Sequence, residues 1–291
     1  MSLLLALALE GWLGDPPNRW HPVAWFGRWA AHCERWCYRD ARAAGCVAWF
    51  AAVAPAWMSA MALHAALGWV GDGLLLWLCL GWRSLFAHVR AVLDAPDLAE
   101  ARSAVACIVS RDTDAMDVMA ARRAALESLA ENASDAVVAP LFWFALGGAP
   151  AAVLYRAVNT LDAMWGYRSA RYRRFGWCAA RLDDLANYLP ARLTAVMLLL
   201  SGQSAAWRKL RTQAHSHASP NAGWPEAALA LAADVRLGGP VLRKGCVDAR
   251  PWYGDASARM PVAAVAQEAV DVVRRALWGA VGCLGMLGYV W

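Results

Sequence analysis

Glu127, Glu131 and Asp135 recur every fourth residue, with Ser128 and Asn132 beside them. On a helix that spacing puts all three carboxylates on one face, where like charges repel. The stripe runs into 136–155, 20 residues without a formal charge. Carboxylates gathered at the edge of an apolar segment suit a cation that carries phosphate; the plain alternative is a solvated helix face. Three further polar clusters lie between Ser110 and Arg192. One is Ser110-Arg111-Asp112-Thr113-Asp114 with Asp117. Another is Asn159-Thr160-Leu161-Asp162, in which Asn159 and Asp162 share a helix face, followed by Gly166-Tyr167-Arg168. The last is Arg181-Leu182-Asp183-Asp184, with Asn187 and Arg192.

This density of oxygen ligands suits Mg²⁺, which takes one or two carboxylates and completes its shell with water and phosphate. The interleaved arginines suit phosphate or carboxylate, which a guanidinium grips bidentately. Glu127, Glu131, Asp135 and Asp162 are therefore the candidate metal ligands, and Glu127, Glu131, Asp183 and Asp184 the candidate catalytic carboxylates. Arg111, Asp112, Asn132, Asn159, Arg181 and Arg192 are candidates for holding phosphate or substrate. Ordinary salt bridges at helix ends are the bland reading of each cluster alone. His215 and His217, ahead of Ser219-Pro220-Asn221, fit either site or packing roles, as does His21, while His64 in an apolar stretch reads as a packing residue. No phosphate-binding loop of the Gly-x-x-x-x-Gly-Lys-Ser/Thr type, dinucleotide fingerprint or His-Glu-x-x-His occurs. Lys209 and Lys244 are the only lysines, so arginines and metal would have to hold a nucleotide.

The elements that position these groups are helices in a membrane. The chain has 291 residues, 60% hydrophobic and 18% charged, with a mean hydropathy of +0.32; soluble proteins carry about 25% charged residues. From Ala43 to Trp82 the only formal charge is Asp72, which leaves room for two spans of about 20 residues turning at Gly71-Asp72-Gly73. Residues 136–155 form a third candidate span, broken at Gly147-Gly148-Ala149-Pro150. Residues 1–13, 192–203 and 277–291 are shorter apolar stretches. The first lacks a basic start and is interrupted by Glu10, so it reads as retained and not as a signal peptide. Ala, Leu and Arg dominate, which predicts an all-α, polytopic integral membrane protein, a single catalytic unit over 1–291. Within 206–261, Gly/Pro turns lead into a helix that starts at Pro225-Glu226. Gly282, Gly285 and Gly288 read as helix-packing positions.

The arginines cluster in the long loops and are absent from the Asp72 and Gly147 turns, so the loops are expected on the cytoplasmic side. The net charge of +5 then reports topology, and no motif argues for nucleic acid. The eight cysteines are scattered and expected to be reduced.

Several motifs resemble the adenosylcobinamide-phosphate synthase (CobD/CbiB) family of cobalamin biosynthesis. They are Gly14-Asp15-Pro16 with His21-Pro22-Val23, Arg111-Asp112-Thr113, Glu127-Ser128 with Glu131-Asn132, Ala139-Pro140-Leu141-Phe142 and Asn159-Thr160-Leu161-Asp162. Further along come Ala180-Arg181-Leu182-Asp183-Asp184, Pro190-Ala191-Arg192-Leu193, Ser219-Pro220-Asn221-Ala222-Gly223-Trp224-Pro225-Glu226 and Arg236-Leu237-Gly238-Gly239-Pro240. The resemblance runs through nearly the whole chain in order, and the Ser219–Glu226 octapeptide is its most specific part. It implies an inner-membrane enzyme that joins aminopropanol, or its phosphate, to a propionate of adenosylcobyric acid as an amide, driven by ATP. It adds His217, Ser219, Asn221 and Glu226 to the substrate-binding candidates and makes other membrane enzymes of cobalamin assembly expected neighbours. A corrinoid is large and amphipathic, so an open cleft lined by Trp and Arg is expected. Two departures stand out: Gln213 occupies a position where the family pattern has Asp, and the segment with Arg243-Lys244 and Trp252-Tyr253-Gly254 is idiosyncratic. A non-enzymatic membrane sensor or assembly protein, and a transporter with charges at mid-span, are the competing classes.

Overall fold

The computed structural model describes residues 1–202, 206–243 and 245–287. Gln203, Lys244, Gly288 and the end of the apolar stretch 277–291 thus lie outside the described residues. In chain order the first helices are α1 (Ser2–Trp12), α2 (Pro22–Cys37), α3 (Arg42–Leu67), α4 (Trp69–Cys79), α5 (Trp82–Leu93), α6 (Leu98–Ala106) and α7 (Val118–Ala133). A π-helical turn, Ser134–Val138, leads to α8 (Ala139–Trp165), α9 (Tyr172–Phe175), α10 (Trp177–Ala186), α11 (Tyr188–Ser201), α12 (Trp207–Ala214) and α13 (Gly223–Ala232). Four short strands follow, β1 (Leu237–Gly238), β2 (Val241–Arg243), β3 (Cys246–Asp248) and β4 (Trp252–Tyr253), and then α14 (Ala263–Leu287). The protein is a helical membrane protein, as its composition requires. Arg42–Leu67, Trp69–Leu93 and Val118–Trp165 are the stretches long and apolar enough to cross a membrane among the described residues.

The chain divides into two compact units, neither of them contiguous. The first comprises Met1–Arg83, Ala139–Asn187 and the described residues from Cys283; the second comprises Ser84–Val138 and Tyr188–Gly282. In the first unit, α2, α3, α8 and α10 enclose a core of Trp49, Val158, Leu161, Trp165 and Phe175. Gly45 lets α3 approach the backbone of α9, since a Cβ there would collide with the Phe175 carbonyl. The turn between α3 and α4 falls at Gly68, with φ of 51°, and not at Gly71-Asp72-Gly73. A reversal needs a left-handed residue, whereas Gly71 and Gly73 serve as helical contact points against Leu63 and Leu5. Asp72 instead joins the first turn of α4, where it lies 2.8 Å from Nδ1 of His64. His64 is half-exposed, so its packing role does not hold. The expected break in the third span occurs at Gly147 and Gly148, whose φ values are −146° and 69°.

In the second unit the buried element is α13, which packs against α7, α11 and α12. Its run of alanines permits close approach on every side, and Leu126, Leu129, Leu198 and Leu229 fill the space between. The strands form two antiparallel pairs, β1 with β4 and β2 with β3. Among the described residues, these short strand pairs are the departure from all-α. Two or three residues are too short to carry an alternating pattern that sequence reading detects. Gln213 of α12 explains its own departure from the family pattern. Its side chain donates to the Gly254 carbonyl at 3.0 Å and accepts from the Gly254 N–H at 2.9 Å. An aspartate could not donate. All eight cysteines are free thiols. Of the two described C-terminal glycines, Gly285 meets Leu3, but Gly282 faces open space, so close packing accounts for Gly285 and not for Gly282.

Candidate functional site

Glu127 is 2% exposed, which removes it from a solvated face. It sits in the second unit on α7, where Oε2 accepts from Arg111 at 2.7 Å. Oε1 accepts the Gly238 backbone N–H at 2.8 Å and lies 4.0 Å from Nε of Arg123. One buried carboxylate thus ties the loop before α7 to the Gly238-Gly239 turn 111 residues further on. Glu131, one turn along, is exposed. Asp135 does not continue the stripe as an α-helix would, because the π-turn at Ser134 changes the register. Ser128 donates to the Ile108 carbonyl at 3.2 Å, and Asn132 donates back to the Ser128 carbonyl at 2.9 Å.

Of these groups, Arg111, Glu127, Ser128 and Glu131 border a cavity of about 240 Å³. Its charged walls are Arg111, Arg243, Arg250, Glu127, Glu131 and Glu226, with His217 beside them. Glu226 reaches it from the first turn of α13 and is 4% exposed. Burial, then the charges of Glu127 and Glu131, push its proton affinity well above the usual carboxylate range, while Arg250 and Arg111 pull back. His217 accepts the Ser219 N–H through Nδ1 at 2.9 Å, so its neutral ring carries the proton on Nε2, 4.0 Å from Glu226. Burial depresses its pKa and keeps it neutral. The arrangement combines cations for an anionic substrate, a protonated carboxylic acid and an imidazole N–H.

The other residues singled out in this unit support the cavity. Ser219 Oγ accepts the Asn221 and Ala222 N–H groups, each at 3.2 Å. Arg192 donates to Asn221 Oδ1 at 2.8 Å and to the Pro220 carbonyl at 3.0 Å, and it stacks on Tyr188 and Trp224. The structure gives Ser219, Asn221 and Arg192 the task of holding the loop that presents His217 and Glu226. Asp112 accepts the Gly245 N–H at 2.8 Å and holds the β2–β3 hairpin. Arg243 donates to Ser110 Oγ at 2.7 Å. Sequence reasoning missed Arg243 and Arg250 as site residues, since isolated arginines among short strands and turns carry no pattern. It also missed Gly238, whose contribution is a backbone N–H.

Asn159, Asp162, Asp183 and Asp184 gather in the first unit, on α8 and α10. Asn159 donates to Asp183 at 3.2 Å, while the exposed Arg181 approaches Asp184 at 3.5 Å. The expected site residues therefore fall into two clusters, one per unit. Burial, with the Asp162 charge next and Asp184 adding to it, pushes Asp183 up to about 7, against hydrogen bonds from Asn159 and Asn187. A raised folded-state pKa contributes stability that is full below the ordinary value of 3.8 and lost as pH rises through about 7. Asp183→Asn stays neutral and still accepts from Asn159. Its thermal unfolding is expected to show a shallower decline across that window than wild type does; parallel curves for the two proteins would refute the assignment.

Among the described residues, no three His, Cys, Asp or Glu side chains form a group able to hold a metal. Glu127, expected as a ligand, is instead paired with Arg111 and Gly238, and Asp162 belongs to the other cluster. A resident Mg²⁺ site does not follow from this geometry.

Fold and sites together define a helical membrane protein with an arginine- and glutamate-lined cavity suited to anionic groups in the second unit and an aspartate cluster in the first. The chain belongs to the family described as CobD/Cbib protein, which it matches over residues 3–273. It is 49% identical to the Cobalamin biosynthesis protein CobD of Stutzerimonas stutzeri, covering 97% of this chain and 94% of that one. The protein of the same name from Chromobacterium violaceum is 46% identical, with 96% and 93% covered. That from Rhodobacter capsulatus is 40% identical, with 99% and 97% covered. No solved structure matches the chain.

Proposed function

We propose that this chain is a cobalamin-biosynthesis ligase, which joins 1-aminopropan-2-ol or its O-phosphate to a propionate carboxylate of adenosylcobyric acid at the expense of ATP. The observation that carries the reading is the cavity where Arg111, Arg243 and Arg250 face Glu226 and His217. A carboxylate becomes an acyl donor when its oxygen takes the γ-phosphoryl group, giving an acyl phosphate and ADP. The amine nitrogen then attacks the acyl carbon, the C–O bond breaks, and inorganic phosphate leaves as the amide forms. Arginines suit the charge on the transferring and departing phosphate. Once ionised, Glu226, with its raised proton affinity, suits the proton that the incoming ammonium must lose. The His217 Nε2–H suits donation to an anionic oxygen. At about 240 Å³ the cavity takes only the reacting ends of the substrates, in place of the open Trp-lined cleft that a whole corrinoid suggests. Mg²⁺ belongs to the proposal as the counter-ion that arrives with ATP, and none of these steps is routed through it.

The test is ATP consumption by purified protein, with the amide product followed by mass spectrometry. Turnover is expected only when the corrinoid acid and the amine are both present. Wild-type protein that binds the corrinoid but forms no amide with either amine would favour a sensor. We place the cavity on the cytoplasmic face of the inner membrane, a reading that the arginine distribution supports. Single cysteines at positions 114 and 169, in a background without other cysteines, should resist impermeant labelling in intact cells.

A further inference from the structure

We propose that the first unit binds an anionic glycerophospholipid, with an acyl chain in the cavity bounded by α2, α3, α4 and α8 and its phosphate at Arg156. The cavity has a volume of about 520 Å³, and residues such as Phe26, Leu63, Leu75, Leu78 and Val153 make it an apolar slot. Arg156 is the one formally charged residue lining it.

The other polar side chains on the wall already have partners within the protein. Ser59 donates to the Pro55 carbonyl at 2.8 Å and Thr160 to the Arg156 carbonyl at 2.8 Å. The indole N–H of Trp25 reaches the Arg19 carbonyl at 2.9 Å, and that of Trp29 reaches the Ala51 carbonyl at 3.3 Å. Arg156 differs from them. Its Nε is buried without a hydrogen-bond partner among the described residues. A buried guanidinium N–H without a partner beside an apolar slot is costly, and an ionisable residue at a membrane span calls for a partner. An anion fulfils the charge, an acyl chain fills the slot, and a phospholipid supplies both in one molecule.

The neighbouring helix points the same way. On α2, Trp25, Arg28, Trp29, His32, Arg35 and Trp36 occupy one helical face, and all six are exposed. Tryptophan interleaved with arginine is the composition of a helix lying among lipid headgroups. Trp25 and Trp29 of that face also line the cavity, so the headgroup region and the slot adjoin. A free phosphate would leave the apolar wall without an occupant, which is why the lipid is the better fit.

This inference is independent of the ligase reading, and its test involves no turnover. Delipidated protein in detergent is offered phosphatidylglycerol or phosphatidylcholine, and retained lipid is measured by native mass spectrometry. Wild type should retain phosphatidylglycerol with a preference of roughly tenfold, the value of one charge-assisted contact. Arg156→Gln should lose the preference, and Arg156→Lys should keep most of it. Ser59→Phe fills the slot with Arg156 intact and should lower retention of both lipids, which decides the matter if Arg156→Gln does not fold. Equal retention of the two lipids by wild type, or an unchanged preference in Arg156→Gln, would overturn the proposal. So would displacement of the lipid by inorganic phosphate or by cobyric acid.

Discussion

Glu127→Gln is expected to lower turnover by about 10²-fold and to lower stability at the same time. The amide keeps an acceptor for the Gly238 N–H but removes the charge opposite Arg111, whose side chain is only 12% exposed. Breaking a buried ion pair from one side costs about 3–5 kcal/mol, because the remaining charge stays desolvated. Glu131→Gln isolates the chemistry from this effect. Its side chain is exposed, so stability should change by no more than about 0.5 kcal/mol while turnover falls. Thermal unfolding and amide formation on the same preparations separate the two outcomes. The double variant Arg111→Gln/Glu127→Gln should recover part of the stability lost by Glu127→Gln, as the Arg111 cation is no longer left buried opposite a neutral amide. Full activity in both single variants would deny the acidic helix a role in the reaction.

Glu226→Gln should reduce turnover by roughly 10²- to 10⁴-fold, the usual contribution of a positioned acid–base group, and flatten what remains against pH. Wild-type activity is expected to rise with pH as Glu226 loses its proton and can accept one from the amine. Stability should move the opposite way. The fold favours the protonated form, because burial and the charges of Glu127 and Glu131 oppose ionisation. That contribution is fully present below the model-peptide value of 4.5 and is lost as pH rises through the higher folded-state value. The glutamine variant cannot ionise, so its stability should decline less than that of wild type over this range, the remainder coming from Asp183. A wild type that becomes more stable over this range, or a variant with the wild-type pH–rate profile, would exclude the role given to Glu226.

Helical class, membrane character and the break at Gly147-Gly148 were legible in the sequence, because composition and local backbone preference decide them without distant partners. Family membership was legible for a related reason: ordered motifs such as Ser219–Glu226 are contiguous. The same local reasoning put the first turn at Gly71-Asp72-Gly73, although Gly68 makes it. Spacing shows where glycines are, but neighbouring helices decide which of them must reverse and which must pack. It also extended the acidic stripe to Asp135 through a π-turn that no spacing rule foresees.

Only the tertiary structure decided which polar residues surround a cavity and which merely hold it. Arg192, Ser219 and Asn221 turn their hydrogen bonds inward to the loop, while Glu226 of the same segment faces Glu127 and Arg111. Gly238 lies 111 residues from Glu127 and reaches it through a backbone N–H that no residue type advertises. The register between such distant segments is set by how α13 and the short strands pack on α7. Packing across loops leaves no periodic trace in the chain, and that is why the residues pointed to the chemistry while their roles had to come from the fold.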